Sequence, residues 1–160
     1  SGQICEVDLG FEEGETRYGK RWALYGQWSP NGRYLAMLTT VGDLPVKFSD
    51  LMILDTLIGE LRLMPPAVSI NPGQHYVQDM TWAPNGQVLA ILATVEYRDG
   101  TTWEGLYLVE ATTAQNIRIL SHIVFPAGDA GWNLAWSPSG NSLAITCLYG
   151  PLCLIEVTWP

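Results

Sequence analysis

One phrase occurs three times at a fixed interval: Trp28-Ser29-Pro30-Asn31-Gly32, Trp82-Ala83-Pro84-Asn85-Gly86 and Trp136-Ser137-Pro138-Ser139-Gly140. Successive tryptophans stand 54 residues apart both times. A repeat of that length marks a chain assembled from copies of one supersecondary unit, each of which needs its neighbours to bury a face. The phrase itself has turn chemistry. Proline presets φ for the second position of a type I turn, Asn or Ser suits the third, and Gly accepts the left-handed conformation that closes a bulged hairpin. Trp28, Pro30, Gly32, Trp82, Pro84, Gly86, Trp136, Pro138 and Gly140 are therefore structural positions, and the tryptophans are expected to wedge between neighbouring units.

Each turn leads into a similar strand: Arg33-Tyr34-Leu35-Ala36-Met37-Leu38, Gln87-Val88-Leu89-Ala90-Ile91-Leu92 and Asn141-Ser142-Leu143-Ala144-Ile145-Thr146. Leu and Ile or Met share one face and Ala the other, so both faces are apolar and one carries small residues. Such a sheet lies between two similar sheets, whereas a one-sided sheet alternates apolar with polar residues. A third strand ends on an acidic residue in each copy, at Asp55, Glu110 and Glu156. A fourth, Leu61-Arg62-Leu63-Met64 or Ile117-Arg118-Ile119-Leu120, follows a turn in the first two copies. No window shows helical periodicity. The reading is all-β: four-stranded antiparallel meanders of the kind that form β-propeller blades. About three fit the chain, over residues 22–64, 77–120 and 131–158, within a single propeller segment spanning 1–160.

The phrase Trp-Ser-Pro-Asn-Gly-Arg-Tyr-Leu-Ala at Trp28–Ala36 resembles the TolB-like, or PD40, propeller repeat, a relative of the WD repeat. All three copies match its Trp-Ser-Pro-Asp-Gly pattern, with Asn or Ser where the family has Asp in the turn. The resemblance covers nearly the whole chain and is specific for fold, not activity. It implies a binding or scaffold module, or the accessory propeller of a prolyl-oligopeptidase-like hydrolase that gates or docks substrate. The family's setting points to the bacterial periplasm or cell surface. A sugar-acting propeller enzyme is a third reading; it requires inward carboxylates at suitable separation, and the repeats do not supply them in register.

Propellers have roughly four to eight blades, so three make about half a ring. Two chains related by a two-fold axis would close a six-bladed ring, with an N-terminal strand at 3–9 completing the last blade. The other account is a fragment, or one chain of a larger propeller.

Composition narrows the partners. The formal net charge is −8 with eight basic residues, and phosphate backbones are bound by Lys/Arg clusters. Nucleic acid is thereby disfavoured, and no apolar run reaches the roughly 18 residues of a membrane helix. A protein or peptide is the expected partner. The long loops would carry it, because function on a rigid scaffold concentrates there. The candidate contact residues are His75, Tyr76, Tyr97, Arg98, Trp103, Glu104 and His122; Tyr, Trp and Arg dominate interface hot spots. Asp79, one position from the inner strand's apolar run, is placed to face a central channel. No nucleophile elbow, phosphate loop, dinucleotide fingerprint or metal-ligand spacing occurs, so no catalytic residue, metal or cofactor is expected. Cys147 and Cys153 flank a hairpin tip and are candidates for a disulfide across it.

Overall fold

A computed structural model describes residues 21–41, 49–63, 74–96, 102–113, 115–120, 133–146 and 152–157. Among them the chain is all-β, in three antiparallel sheets. The first holds β1 (Arg21–Trp28), β2 (Tyr34–Val41), β3 (Ser49–Asp55) and β4 (Glu60–Leu63) in sequential order. The second repeats this with β5 (Gln74–Trp82), β6 (Val88–Glu96), β7 (Thr102–Glu110) and β8 (Gln115–Leu120). In the third, β9 (Asn133–Trp136), β10 (Ser142–Thr146) and β11 (Cys153–Glu156) pair in the same sequential manner.

The repeated phrase folds alike in every copy. Gly32, Gly86 and Gly140 have φ of 70°, 67° and 74°. Their N–H groups donate to the carbonyls of Ser29, Ala83 and Ser137 at 2.8, 2.8 and 2.9 Å. The residue between Pro and Gly is polar for a local reason. Asn31 Oδ1 accepts the Arg33 N–H at 3.0 Å and Asn85 Oδ1 the Gln87 N–H at 2.9 Å, the Asx geometry that fixes a tight turn. A bulge recurs too: the first strand of the sheet shifts register between Ala23 and Tyr25, and 54 residues later between Val77 and Asp79.

Two core clusters lie between sheets, and a third, of Met37, Met52 and Leu54 with Leu35 and Leu61, lies on the first sheet's other face. Tyr34, Ala36, Leu51 and Ile53 of the first sheet pack against Met80, Trp82, Leu89, Ile91, Tyr107 and Val109 of the second. Val88, Ala90, Leu92, Leu106 and Leu108, on the second sheet's other face, pack against Leu134, Leu143, Ile145 and Val157. The alanine column allows close approach: Ala36 and Ala90 are fully buried where a facing sheet covers them. Each buried Leu or Ile at these boundaries contributes roughly 1.5–3 kcal/mol. Among the described residues no helix is long and apolar enough to cross a membrane.

Candidate functional site

The boundaries between sheets carry a repeated polar contact. Trp82 Nε1 donates to the Gln27 carbonyl at 3.0 Å, and Trp136 Nε1 to the Thr81 carbonyl at 3.2 Å. Each indole reaches back 55 residues, to the residue just before the preceding sheet's tryptophan. The acceptor is a backbone group, so no side chain in the sequence announces it. Tyr34 stacks on Trp82 with centroids 6.1 Å apart, and the Arg33 guanidinium lies 5.0 Å from the Tyr34 centroid.

The carboxylate of Asp79, which its position suggests for a central channel, accepts backbone N–H groups on two sides. Its Oδ1 accepts the Met80 N–H at 2.8 Å and its Oδ2 the Leu134 N–H at 2.6 Å. The bulge turns the carboxylate toward the third sheet, where it closes a backbone donor that the strand pairing leaves over. At the turns, Asn31 Nδ2 donates to the Gly86 carbonyl at 3.3 Å. A Cβ on Gly86 would stand 2.6 Å from the Asn31 amide. The neighbouring turn therefore requires glycine here for space as well as for φ.

Arg33 and Asp55 form a bidentate pair, Nε to Oδ1 at 3.1 Å and Nη2 to Oδ2 at 2.8 Å. Asp55 is almost fully enclosed, at 1% relative exposure, and also accepts the Leu57 N–H at 3.1 Å. The Arg33 hydrogen bonds hold its carboxyl below the usual range against the opposing effect of burial, and the Leu57 N–H adds to this. Asp55 in turn raises the Arg33 guanidinium pKa through the same hydrogen bonds. In the second copy the strand-ending Glu110 accepts from Thr113 Oγ1 at 2.9 Å.

The candidate loop residues divide into two groups. Tyr97, Arg98 and His122 lie outside the described residues, as does the segment 3–9. The others belong to strands, not to the long loops expected of them. His75 and Tyr76 sit near the start of β5, and Trp103 and Glu104 near the start of β7. The β-branched run Thr94-Val95 carries β6 on to Glu96 and draws both neighbours into pairing. The register sets His75 opposite Val95 and Val95 opposite Trp103; one row along, Tyr76, Thr94 and Glu104 line up. The backbone thus gathers these four residues at one end of the second sheet, two strands apart across β6.

Cys153 is a free cysteine in place of the expected bridge. The β10–β11 register puts Ile145, not Cys147, opposite it; Cys147 lies outside the described residues. Among the described residues no group of three or more His, Cys, Asp or Glu is arranged to hold a metal ion.

No protein-family model matches the chain, and no curated protein matches it. Eighteen chains of solved structures do. One is an auxiliary nutrient binding protein from Bacteroides thetaiotaomicron VPI-5482, 13% identical with a TM-score of 0.30. The match covers 86% of this chain and 39% of that one, so this chain spans well under half of that protein's length.

Proposed function

We propose that the three sheets are TolB-like propeller blades and that the chain is a non-catalytic binding and scaffold module. Its sheet faces serve assembly, and the end of the second sheet takes a protein or peptide. The observation that carries this reading is the recurrence of the indole-to-carbonyl bond, at the same position of the repeat, across both sheet boundaries. A stack whose boundaries repeat one contact is built by one operation applied again, and such an operation generates a ring of blades where its rotation closes. The peptide site is supported by the register that groups His75, Tyr76, Trp103 and Glu104 around β6 beside the Glu96–Thr102 connection. Tyr and Trp are among the residue types that dominate interface hot spots; Trp103 shares its row with His75, and Tyr76 shares the adjacent row, on the opposite face, with Glu104.

Panning a random-peptide phage library against the purified chain tests the site. Peptides should enrich on the parent and fail to bind a Tyr97→Ala/Trp103→Ala variant of unchanged urea midpoint. Equal binding by both would remove this end of the sheet from consideration.

A further inference from the structure

We infer that the boundary between the first and second sheets takes one Lys or Arg side chain of a bound peptide, whose cationic N–H group donates to Gln27 Oε1. This deepens the peptide reading proposed above and rests on it.

The rows that face each other across this boundary follow from contacts already described. Tyr34 stacks on Trp82, which sets the Tyr34 row of the first sheet against the Trp82–Leu89 row of the second. Side chains on one face of a strand recur every second residue. The Gln27–Ala36 row therefore faces the Met80–Ile91 row, and the Tyr25–Leu38 row faces Val77, Ala93 and Gly105. One row further from the Gly32 and Gly86 turns, the row of Trp22 and Thr40 lies across from that of His75, Val95 and Trp103. His75 and Trp103 of the peptide site thus stand at the mouth of this boundary.

The two boundaries differ near this end. Across the second, Asp79 reaches the Leu134 N–H and Leu92 is fully buried. Across the first, the residues one repeat earlier are Tyr25 and Leu38. Tyr25 is 51% exposed although its face is the one the second sheet covers, and Leu38 is only partly buried. The residues opposite are small, Ala93 and Gly105. The first boundary is therefore open toward its mouth where the second is clasped.

The groups inside the opening select its occupant. Among the described residues, Gln27 Oε1 is a buried side-chain oxygen that accepts no hydrogen bond. A buried acceptor without a donor is costly, so a donor that reaches it is favoured. Gln27 lies two residues from Tyr25 on the same face, about 7 Å deeper along the strand. The occupant must therefore carry its donor on a long apolar stem and pass an aromatic ring on the way. Lys and Arg meet both demands: the stem packs on apolar surface, the head only donates, and the ring attracts the cation. A charged donor also makes a stronger hydrogen bond than a neutral amide, and a carboxylate has no donor to offer. The charge of the chain agrees. Sixteen Asp and Glu stand against eight Lys and Arg, a net −8 that draws a basic segment.

The test titrates the whole ¹⁵N-labelled chain by NMR with two capped pentapeptides, acetyl-Gly-Gly-Lys-Gly-Gly-amide and the same peptide with norleucine in place of lysine. The Gln27 side-chain amide resonances should shift saturably with the lysine peptide, and the norleucine peptide should bind about tenfold more weakly or not at all. Gln27→Leu keeps the backbone carbonyl that Trp82 uses and should weaken the lysine peptide about tenfold. Tyr25→Ala, at a half-exposed position, should weaken it as well, and unchanged urea midpoints verify folding of both variants. Equal binding of the two peptides, full affinity in both variants, or no shift at Gln27 with millimolar lysine peptide overturns the inference. Phage-selected peptides that lack a basic residue and bind the parent and Gln27→Leu chains equally defeat this inference and leave the peptide site standing. A library that enriches nothing on the parent defeats the site itself.

Discussion

The Trp82 indole N–H and the Gln27 carbonyl meet at 3.0 Å across the boundary between two sheets. The two residues are 55 positions apart, one more than the sequence period, and Trp136 stands in the same relation to Thr81. The period in the sequence is thus also a period in contacts. The tryptophan fills the wedge between sheets, and its one polar atom finds an acceptor there, as buried indoles require.

That relation ranks the three tryptophans. Trp82→Ala should cost about 3–5 kcal/mol, the usual range for a buried aromatic. Trp82→Phe should cost about 1 kcal/mol from the hydrogen bond, plus the smaller packing loss. Trp28→Ala should stay within about 0.5 kcal/mol in dilute solution. Urea midpoints of the three variants check the order; a Trp28→Ala loss matching that of Trp82→Ala would contradict it.

Gly86 and Gly32 separate conformational cost from space. Both have positive φ, so alanine at either should lose about 1–2 kcal/mol. Gly86→Ala should lose more, because its Cβ meets the Asn31 amide while that of Gly32 meets nothing. A double-mutant cycle with Asn31→Ala should recover the excess at Gly86 and leave Gly32 unaffected.

Asp55 makes the fold sensitive to acid. Its folded pKa lies below the unfolded value of about 3.9. The unfolded chain therefore binds this proton first as the pH falls, and the stabilisation, fully present above about pH 5, is lost as the pH drops through the folded value. Asp55→Asn should lower the urea midpoint at neutral pH, and the gap from the parent should close below about pH 4. A gap independent of pH would exclude the Arg33–Asp55 pair as its source.

Asp79 should behave as a backbone clasp. Asp79→Ala leaves the Leu134 N–H without its acceptor and should cost about 1.5–3 kcal/mol, while Asp79→Asn, which keeps an acceptor oxygen, should recover most of it. Amide hydrogen exchange at Leu134 would show the loss directly.

The repeat made the architecture legible because its information is local. Pro and Gly dictate the turn at Gly32, Gly86 and Gly140, and the Leu-Ala-Ile alternation dictates two-faced strands. The contacts between sheets were less legible. The acceptors at Gln27 and Thr81 are backbone carbonyls, which any residue would supply. The place of Asp79 depends on a bulge that the strand pattern does not encode. His75 and Trp103 fall in strands and not in loops because strand ends are governed by pairing with β6, a tertiary effect that overrides local punctuation. The symmetry of a short tip suggests Cys147 opposite Cys153, but the register that pairs Leu143 with Ile155 brings Cys153 opposite Ile145.

The most direct test of the repeated boundary contact is hydrogen exchange at the indole N–H groups, followed by NMR on tryptophan-labelled chain. Exchange at Trp82 and Trp136, whose indoles donate to the Gln27 and Thr81 carbonyls, should be slow, and exchange at the exposed Trp28 should be rapid. Exchange at Trp82 and Trp136 as fast as at Trp28 would contradict the account.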